Sequence, residues 1–187
     1  MEGRWKNIVS ALILLSFAGC GNTGGDRLIT QNRVGNITFD QDIPNMGKGY
    51  VTRRDTMYTD DEGFPYFAVE DKAGNLALKV FQGESIEVFS PEFKTEAGIR
   101  PGMNLHEAAE IAGSENLHIW LGWPDNYFTI EDSGTGFTWS VYGDQINGGR
   151  DAFLQFSMSG TGRVTLADFA PGAVIGWITV IDYDNED

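Results

Sequence analysis

The chain has 187 residues and a formal net charge of −14. No basic stripe stands against that charge to neutralise phosphates, which excludes nucleic acid as a partner, and the acidity opposes attachment to anionic headgroups by charge alone. Aromatic residues make up 12% of the chain, and apolar segments recur from Val34 to Ile181, enough for a single ordered domain with its own core.

In chain order, Arg4 and Lys6 precede a run from Ile8 to Phe17 that is apolar apart from Ser10 and Ser16. Ala18 and Gly19 follow, then Cys20, the single cysteine. Basic, apolar and small regions in that order predict a secretory signal peptide. The run is shorter than the about 20 apolar residues that span a bilayer.

Ala18-Gly19-Cys20 resembles the lipobox of bacterial lipoproteins, with Phe17 where that family usually has leucine. The resemblance implies diacylglycerol on the Cys20 sulfur, cleavage just before it and acylation of the new N-terminus with a fatty acid such as palmitate. It implies a lipid-anchored protein of the cell envelope, held at the outer membrane, whose membrane contact runs through the N-terminal lipid. Cys20 is then an attachment point, neither a disulfide partner nor a catalytic thiol, and the mature domain holds together without a disulfide. Loss of residues 1–19 removes Glu2, Arg4 and Lys6 and takes the formal charge from −14 to −15.

Residues 20–33, led by Gly21, Asn22, Gly24 and Gly25, read as a flexible tether. Residues 34–187 read as one β-rich domain. Short alternating or apolar runs predict strands at Gly35 to Phe39, Tyr66 to Glu70, Leu76 to Phe81, Ser85 to Phe89, Leu117 to Trp123, Tyr127 to Glu131, Phe137 to Tyr142, Ala152 to Met158 and Val174 to Ile181. Asp71-Lys72-Ala73-Gly74-Asn75 and Asp132-Ser133-Gly134-Thr135-Gly136 are suited to hairpin connections.

One helix is predicted. Asn104 with Glu107 three residues on is a capping signature, and Met103 and Ala108 are spaced as a hydrophobic staple. Leu105, Ala108, Ala109 and Ala112 form its apolar stripe, and Gly113 suits its end. The small residues of the stripe predict close packing on a sheet. The fold class is therefore α+β, mostly antiparallel sheet with one short helix packed on it.

The segment Phe93 to Met103 contains a T-x-x-G-I-x-x-G pattern (Thr95, Gly98, Ile99, Gly102) between a strand and that helix. It resembles a unit of small uncharacterised lipoproteins of Gram-negative bacteria, a family that implies no activity. The Gly102-Met103 entry to the helix is also similar to small outer-membrane lipoproteins that assist β-barrel assembly, which implies an envelope-assembly role. Physically, Gly98 and Gly102 permit tight turns and Pro101 stiffens the loop between them.

The candidates for chemistry are sparse. His106 and His118 have no cysteine partner and no zinc spacing. Ser157 and Ser159 carry no nucleophile-elbow pattern. Asp60-Asp61-Glu62-Gly63 and the tail Asp182, Asp184, Glu186 and Asp187 offer oxygen ligands but no EF-hand loop. The sequence thus assigns no catalytic residue, no metal ligand and no cofactor.

The stretch His118 to Phe128 is the richest. In a strand, Trp123 shares a face with Ile119 and Leu121, and Trp120 points the other way beside His118 and Gly122. An exposed Trp120 with Asp125 and Asn126 at its rim suits stacking and hydrogen bonding to a glycan or an envelope protein. The reading is a lipid-anchored extracytoplasmic binding or envelope-assembly module. Its rivals are a small hydrolase using carboxylates or a serine, and a calcium-dependent binding domain.

Overall fold

The computed structural model describes residues 27–59, 62–122, 126–159 and 163–183. The signal peptide, Cys20, Asp60, Asp61, Trp123, Asp125 and the tail from Asp184 lie outside the described residues.

Eight strands form one antiparallel sheet: β4 (Tyr50–Thr59), β5 (Glu62–Asp71), β6 (Leu76–Phe81), β7 (Ser85–Val88), β9 (Leu117–Gly122), β10 (Tyr127–Asp132), β11 (Phe137–Tyr142) and β12 (Trp177–Ile181). Their spatial order is β4-β5-β6-β7-β12-β11-β10-β9. A small second sheet is made of β1 (Leu28–Thr30), β2 (Arg33–Val34), β3 (Ile37–Thr38) and β8 (Lys94–Thr95), with β1 and β8 parallel. Two helices complete the described elements, α1 (Leu105–Ala112) and α2 (Gly149–Ser159).

The register gives the large sheet two distinct faces. Leu121, Phe128 and Val141 stand opposite one another across β9, β10 and β11, and Ile119, Ile130, Trp139, Ile178, Val88 and Leu78 continue that face across the next strands. Most of these side chains are fully buried. The same core takes in Ile29, Val34 and Ile37 from the small sheet, Leu105 and Ala108 from α1, and Phe153 from α2. One face of the sheet is thus covered. The other carries His118 and Trp120, and we call it the outer face.

α1 begins where its sequence places it. The Asn104 side-chain oxygen accepts from the amides of His106 (3.0 Å) and Glu107 (3.2 Å), satisfying two of the otherwise unpaired first-turn donors. The Asn104 amide also donates to the Pro171 carbonyl at 2.8 Å, tying the cap to the chain before β12. Asn104→Ala should therefore lower the unfolding free energy by about 1 kcal/mol, read as a lower urea midpoint at constant m.

Both predicted hairpin connections form. At the β5–β6 turn the Asp71 carboxylate accepts from the Asn75 side chain (2.8 Å) and from the amides of Ala73 and Asn75. Those donors, the Asn75 side chain foremost, hold the carboxyl below its ordinary value. At the β10–β11 turn Asp132 accepts from the Gly134 amide and the Thr135 hydroxyl.

Four sequence expectations are corrected, and one strand is found where none was expected. Ala152 to Met158 is helix α2, not a strand: Phe153 is buried and Phe156 half-buried on one helical face, while Leu154 and Met158 are exposed. β4 carries no strand expectation, because its Arg53, Arg54 and Asp55 interrupt any apolar alternation. Gly35 and Asn36 are the turn of the β2–β3 hairpin, with Val34 opposite Ile37 and Gly35 at φ 61°, so no single strand runs from Gly35 to Phe39. The strand expected from Val174 starts only at Trp177, because the Ile175 amide and carbonyl bond Met103 and Gly102 instead. Finally, the folded domain begins before Val34. Ile29 is fully buried and β1 pairs with both β2 and β8, so the tether ends before Leu28.

Candidate functional site

The outer face around β9 to β12 is built by alternation. Trp120 stands opposite Thr129, which stands opposite Ser140, which stands opposite Trp177. His118 stands opposite Glu131, and Gly122 opposite Tyr127, itself opposite Tyr142. Directly opposed side chains share a face, so these residues are one surface. Trp120 is 44% exposed and Tyr142 48% exposed, whereas Trp177 is nearly buried among its neighbours.

Trp177 is the centre of an aromatic band. Its ring stacks on Phe89 at 5.7 Å and meets Tyr127 (4.9 Å) and Tyr142 (5.6 Å) edge-on. The band continues through Lys79, whose ammonium lies 5.3 Å from the Phe89 ring centre and 5.5 Å from that of Tyr66. Tyr66 in turn packs on Phe81 at 5.5 Å. Edge-on and stacked rings of this kind favour fixed relative orientation beyond area burial. Glu87 holds Lys79 at 3.5 Å, and Asp55 bonds the Tyr66 hydroxyl. Burial first, then Asp55, pushes the Tyr66 phenol above its ordinary value.

Gly122 makes the Tyr127 position possible. A Cβ at residue 122 would fall 2.3 Å from Cε2 of Tyr127, so only glycine lets that ring lie across the strand next to Trp120. Asn126 precedes β10 with φ 56°, a left-handed conformation that asparagine tolerates better than most residues. Its carbonyl accepts the Gly143 amide at 2.7 Å, and its side chain is exposed at the strand end beside Gly122 and Tyr127. The structure thus puts Trp120 and Asn126 at the surface near the same end of β9 and β10. Asp125 lies outside the described residues.

The other residues singled out by sequence are dispersed. The His106 ring is half-buried, with Nε2 3.2 Å from the Ala170 carbonyl oxygen. Ser157 and Ser159 belong to α2. Among the described residues, no three His, Cys, Asp or Glu side chains are grouped to hold a metal ion.

Sequence reasoning missed a cleft of about 750 Å³ at the far end of β11 and β12, lined by Ile29, Gln31, Thr95, Phe137, Ile181 and Tyr183 among others. Thr95, Glu96 and Ala97, the start of the Thr95-to-Gly102 pattern, line one wall, and the pattern is bonded onto itself. The Thr95 amide donates to the Ile99 carbonyl, and the buried Thr95 hydroxyl accepts the Ile99 amide at 3.1 Å. Gly98 sits at φ 89° and Gly102 at φ 78°, which accounts for both glycines as turn formers. Gln31 spans the cleft edge to the Thr135 carbonyl at 3.1 Å.

No family model matches this chain, and no curated protein matches it. Among solved structures it is similar to the uncharacterized protein YfeY from Escherichia coli, with a TM-score of 0.53 and 14% identity over 82% of this chain and 99% of that one. At that identity the likeness shows the fold alone.

Proposed function

We propose that the protein is a lipid-anchored binding module of the cell envelope, an α+β domain that takes a neutral glycan on the outer face around Trp120. The observation that carries this reading is the exposure of Trp120 on the outer sheet face, with His118, Thr129 and Glu131 around it. An indole face stacks on the C–H face of a sugar ring. The hydroxyl of Thr129, the carboxylate of Glu131 and the imidazole of His118 are suited to the sugar's hydroxyl groups. The acidity of the chain disfavours polyanionic ligands at the same surface. Cys20 supplies the lipid attachment and holds the module at the outer membrane.

The test is a titration of neutral β-linked oligosaccharides, followed by tryptophan fluorescence and calorimetry. Trp120→Ala should weaken binding about tenfold, the loss of one stacked aromatic contact, with a melting temperature close to wild type. A variant that loses stability and keeps its affinity assigns Trp120 to the fold and overturns the reading. Trp120-dependent capture of an envelope protein, with no saccharide bound, replaces the glycan by a protein ligand.

A further inference from the structure

β4 is an edge strand of ten residues, and among the described residues no strand pairs with its free side. Long open edges are sites of strand addition, and proteins usually blunt them. This edge instead carries Val51 at 60% exposure and Tyr58 at 77%. β6 pairs with β5 only from Phe67 onward, so the outer half of the β4–β5 hairpin stands free as a two-stranded ribbon. A ribbon of two strands is marginal in water by itself.

The backbone on the free side is identifiable. Pro65, which has no amide hydrogen, stands opposite Thr56, and the Thr56 amide is taken by the Asp55 carboxylate at 2.9 Å. Thr56 and the residues alternating with it, Thr52, Arg54 and Tyr58, therefore turn their amides and carbonyls to the open edge. Among the described residues no backbone group of Val51–Thr59 bonds main chain other than β5.

We infer that β4 pairs antiparallel with β4 of a second copy of this chain, centred on Arg54. A two-fold axis perpendicular to the sheet requires opposed residues to lie on the same face, so a residue must sit on the axis. Centred on Arg54, Arg53 of each copy faces Asp55 of the other on the outer face, and Val51 faces Met57. On the covered side Thr52 faces Thr56 and Tyr50 faces Tyr58. Centred on Arg53, two arginines meet and Val51 opposes Asp55. Centred on Asp55, two carboxylates meet. Of these three registers, the Arg54 one alone sets Arg53, which is paired with Asp55 and Glu70 of its own chain, against a second Asp55 and brings Val51 to Met57. The two Arg54 side chains on the axis are drawn aside, each guanidinium lying 5.3 Å from the ring centre of its own Phe67. Pairing also frees Asp55 from the Thr56 amide, which then donates to the Thr52 carbonyl of the second copy.

The register is tested in the Cys20→Ser chain, which has no other thiol. Residue 54 of the two copies stands about 5.5 Å apart between Cα atoms, within disulfide range, whereas residue 52 of one copy stands about 14 Å from residue 52 of the other. On mild oxidation Arg54→Cys should crosslink to a dimer and Thr52→Cys should stay monomeric. Sedimentation of the Cys20→Ser chain should show a dimer that dissociates on dilution. Val51→Lys should raise its dissociation constant about tenfold or more with an unchanged melting temperature. A monomer at about 100 μM, or equal crosslinking of the two cysteine variants, overturns the inference.

Discussion

Phe128→Ala should cost about 3–5 kcal/mol of unfolding free energy, the range for truncating a fully buried aromatic ring. Phe128 has no exposed surface. Its ring is edge-on to Phe153 (5.2 Å), Phe169 (5.1 Å) and Phe156 (6.0 Å), so one side chain of β10 binds two residues of α2 and one of the segment leading to β12. Truncation removes three aromatic contacts at once and leaves a cavity between elements that are far apart in sequence. Those elements are held by hydrogen-bonded loops on both sides, including the Gly143 amide to the Asn126 carbonyl and the Ala170 amide to the Gln145 carbonyl. Their collapse into the space should be incomplete, which keeps the cost in the upper range. Such a loss is a large share of the about 5–15 kcal/mol that stabilises a typical domain. The check is urea unfolding followed by circular dichroism. Met158→Ala, at an 86%-exposed position on the far side of α2, is the control and should stay within about 0.5 kcal/mol. A Phe128→Ala loss no larger than the control's would mean that α2 does not anchor on β10.

The same ring explains why part of this fold was legible and part was not. Strands β5 to β7 and β9 to β11 have local signals: alternation, β-branched and aromatic residues, and turns of the Asp-to-Gly kind. The α1 cap is equally local, since Asn104 bonds amides two and three residues ahead. α2 is different. Its sequence, Gly149 to Ser159, has Leu154 and Met158 on the exposed side and Ala152, Phe153 and Phe156 against the core. Two aromatic residues spaced by three among other apolar ones resemble a strand as much as a helix. Phe128, whose ring meets Phe153 and Phe156, is supplied from elsewhere in the chain, and tertiary packing decides such segments.

β4 was hidden for the opposite reason. An edge strand with solvent on most of its surface has no buried face to write an alternation into the sequence, and Arg53-Arg54-Asp55 reads as a loop. β1 to β3 are two or three residues each, below the length at which periodicity is detectable.

The candidate site divides the same way. Exposure of Trp120 follows from the alternation of one strand, and the sequence alone carries it. The band from Tyr142 through Trp177 to Phe81 does not. Its members come from five strands and from Phe89, which directly follows β7, and only the order β5-β6-β7-β12-β11-β10 with its registers aligns them. Phe89 and Trp177 are 88 positions apart in the chain numbering and stack because β7 and β12 are neighbours. The cleft beside Thr95 likewise joins a turn of the small sheet to the β10–β11 turn.

Cys20→Ser should release the chain from membranes into the soluble fraction or leave an uncleaved precursor. The size of the effect follows from acyl-chain arithmetic. Each buried methylene contributes about 0.8 kcal/mol, yet one acyl chain holds a protein only marginally, with a binding constant on the order of 10⁴ M⁻¹. On the proposed lipidation, diacylglycerol on the sulfur and a further chain on the new N-terminus would pass the two-signal threshold for stable anchoring, and all of them would depend on Cys20. No helix among the described residues is long and apolar enough to cross a bilayer, and the formal charge of −14 repels anionic headgroups. The covalent geometry is compatible with close tethering. Seven residue steps separate Cys20 from Arg27, a reach of at most about 25 Å, before β1 fixes the backbone into the small sheet. Wild type should therefore pellet with membranes, gain mass corresponding to lipid at Cys20 and begin at that residue. Serine has no thiolate to attack the lipid donor, so the variant should appear in the supernatant or keep residues 1–19. A variant that stays in the membrane pellet after its signal peptide has been removed would show that another part of the chain makes the attachment.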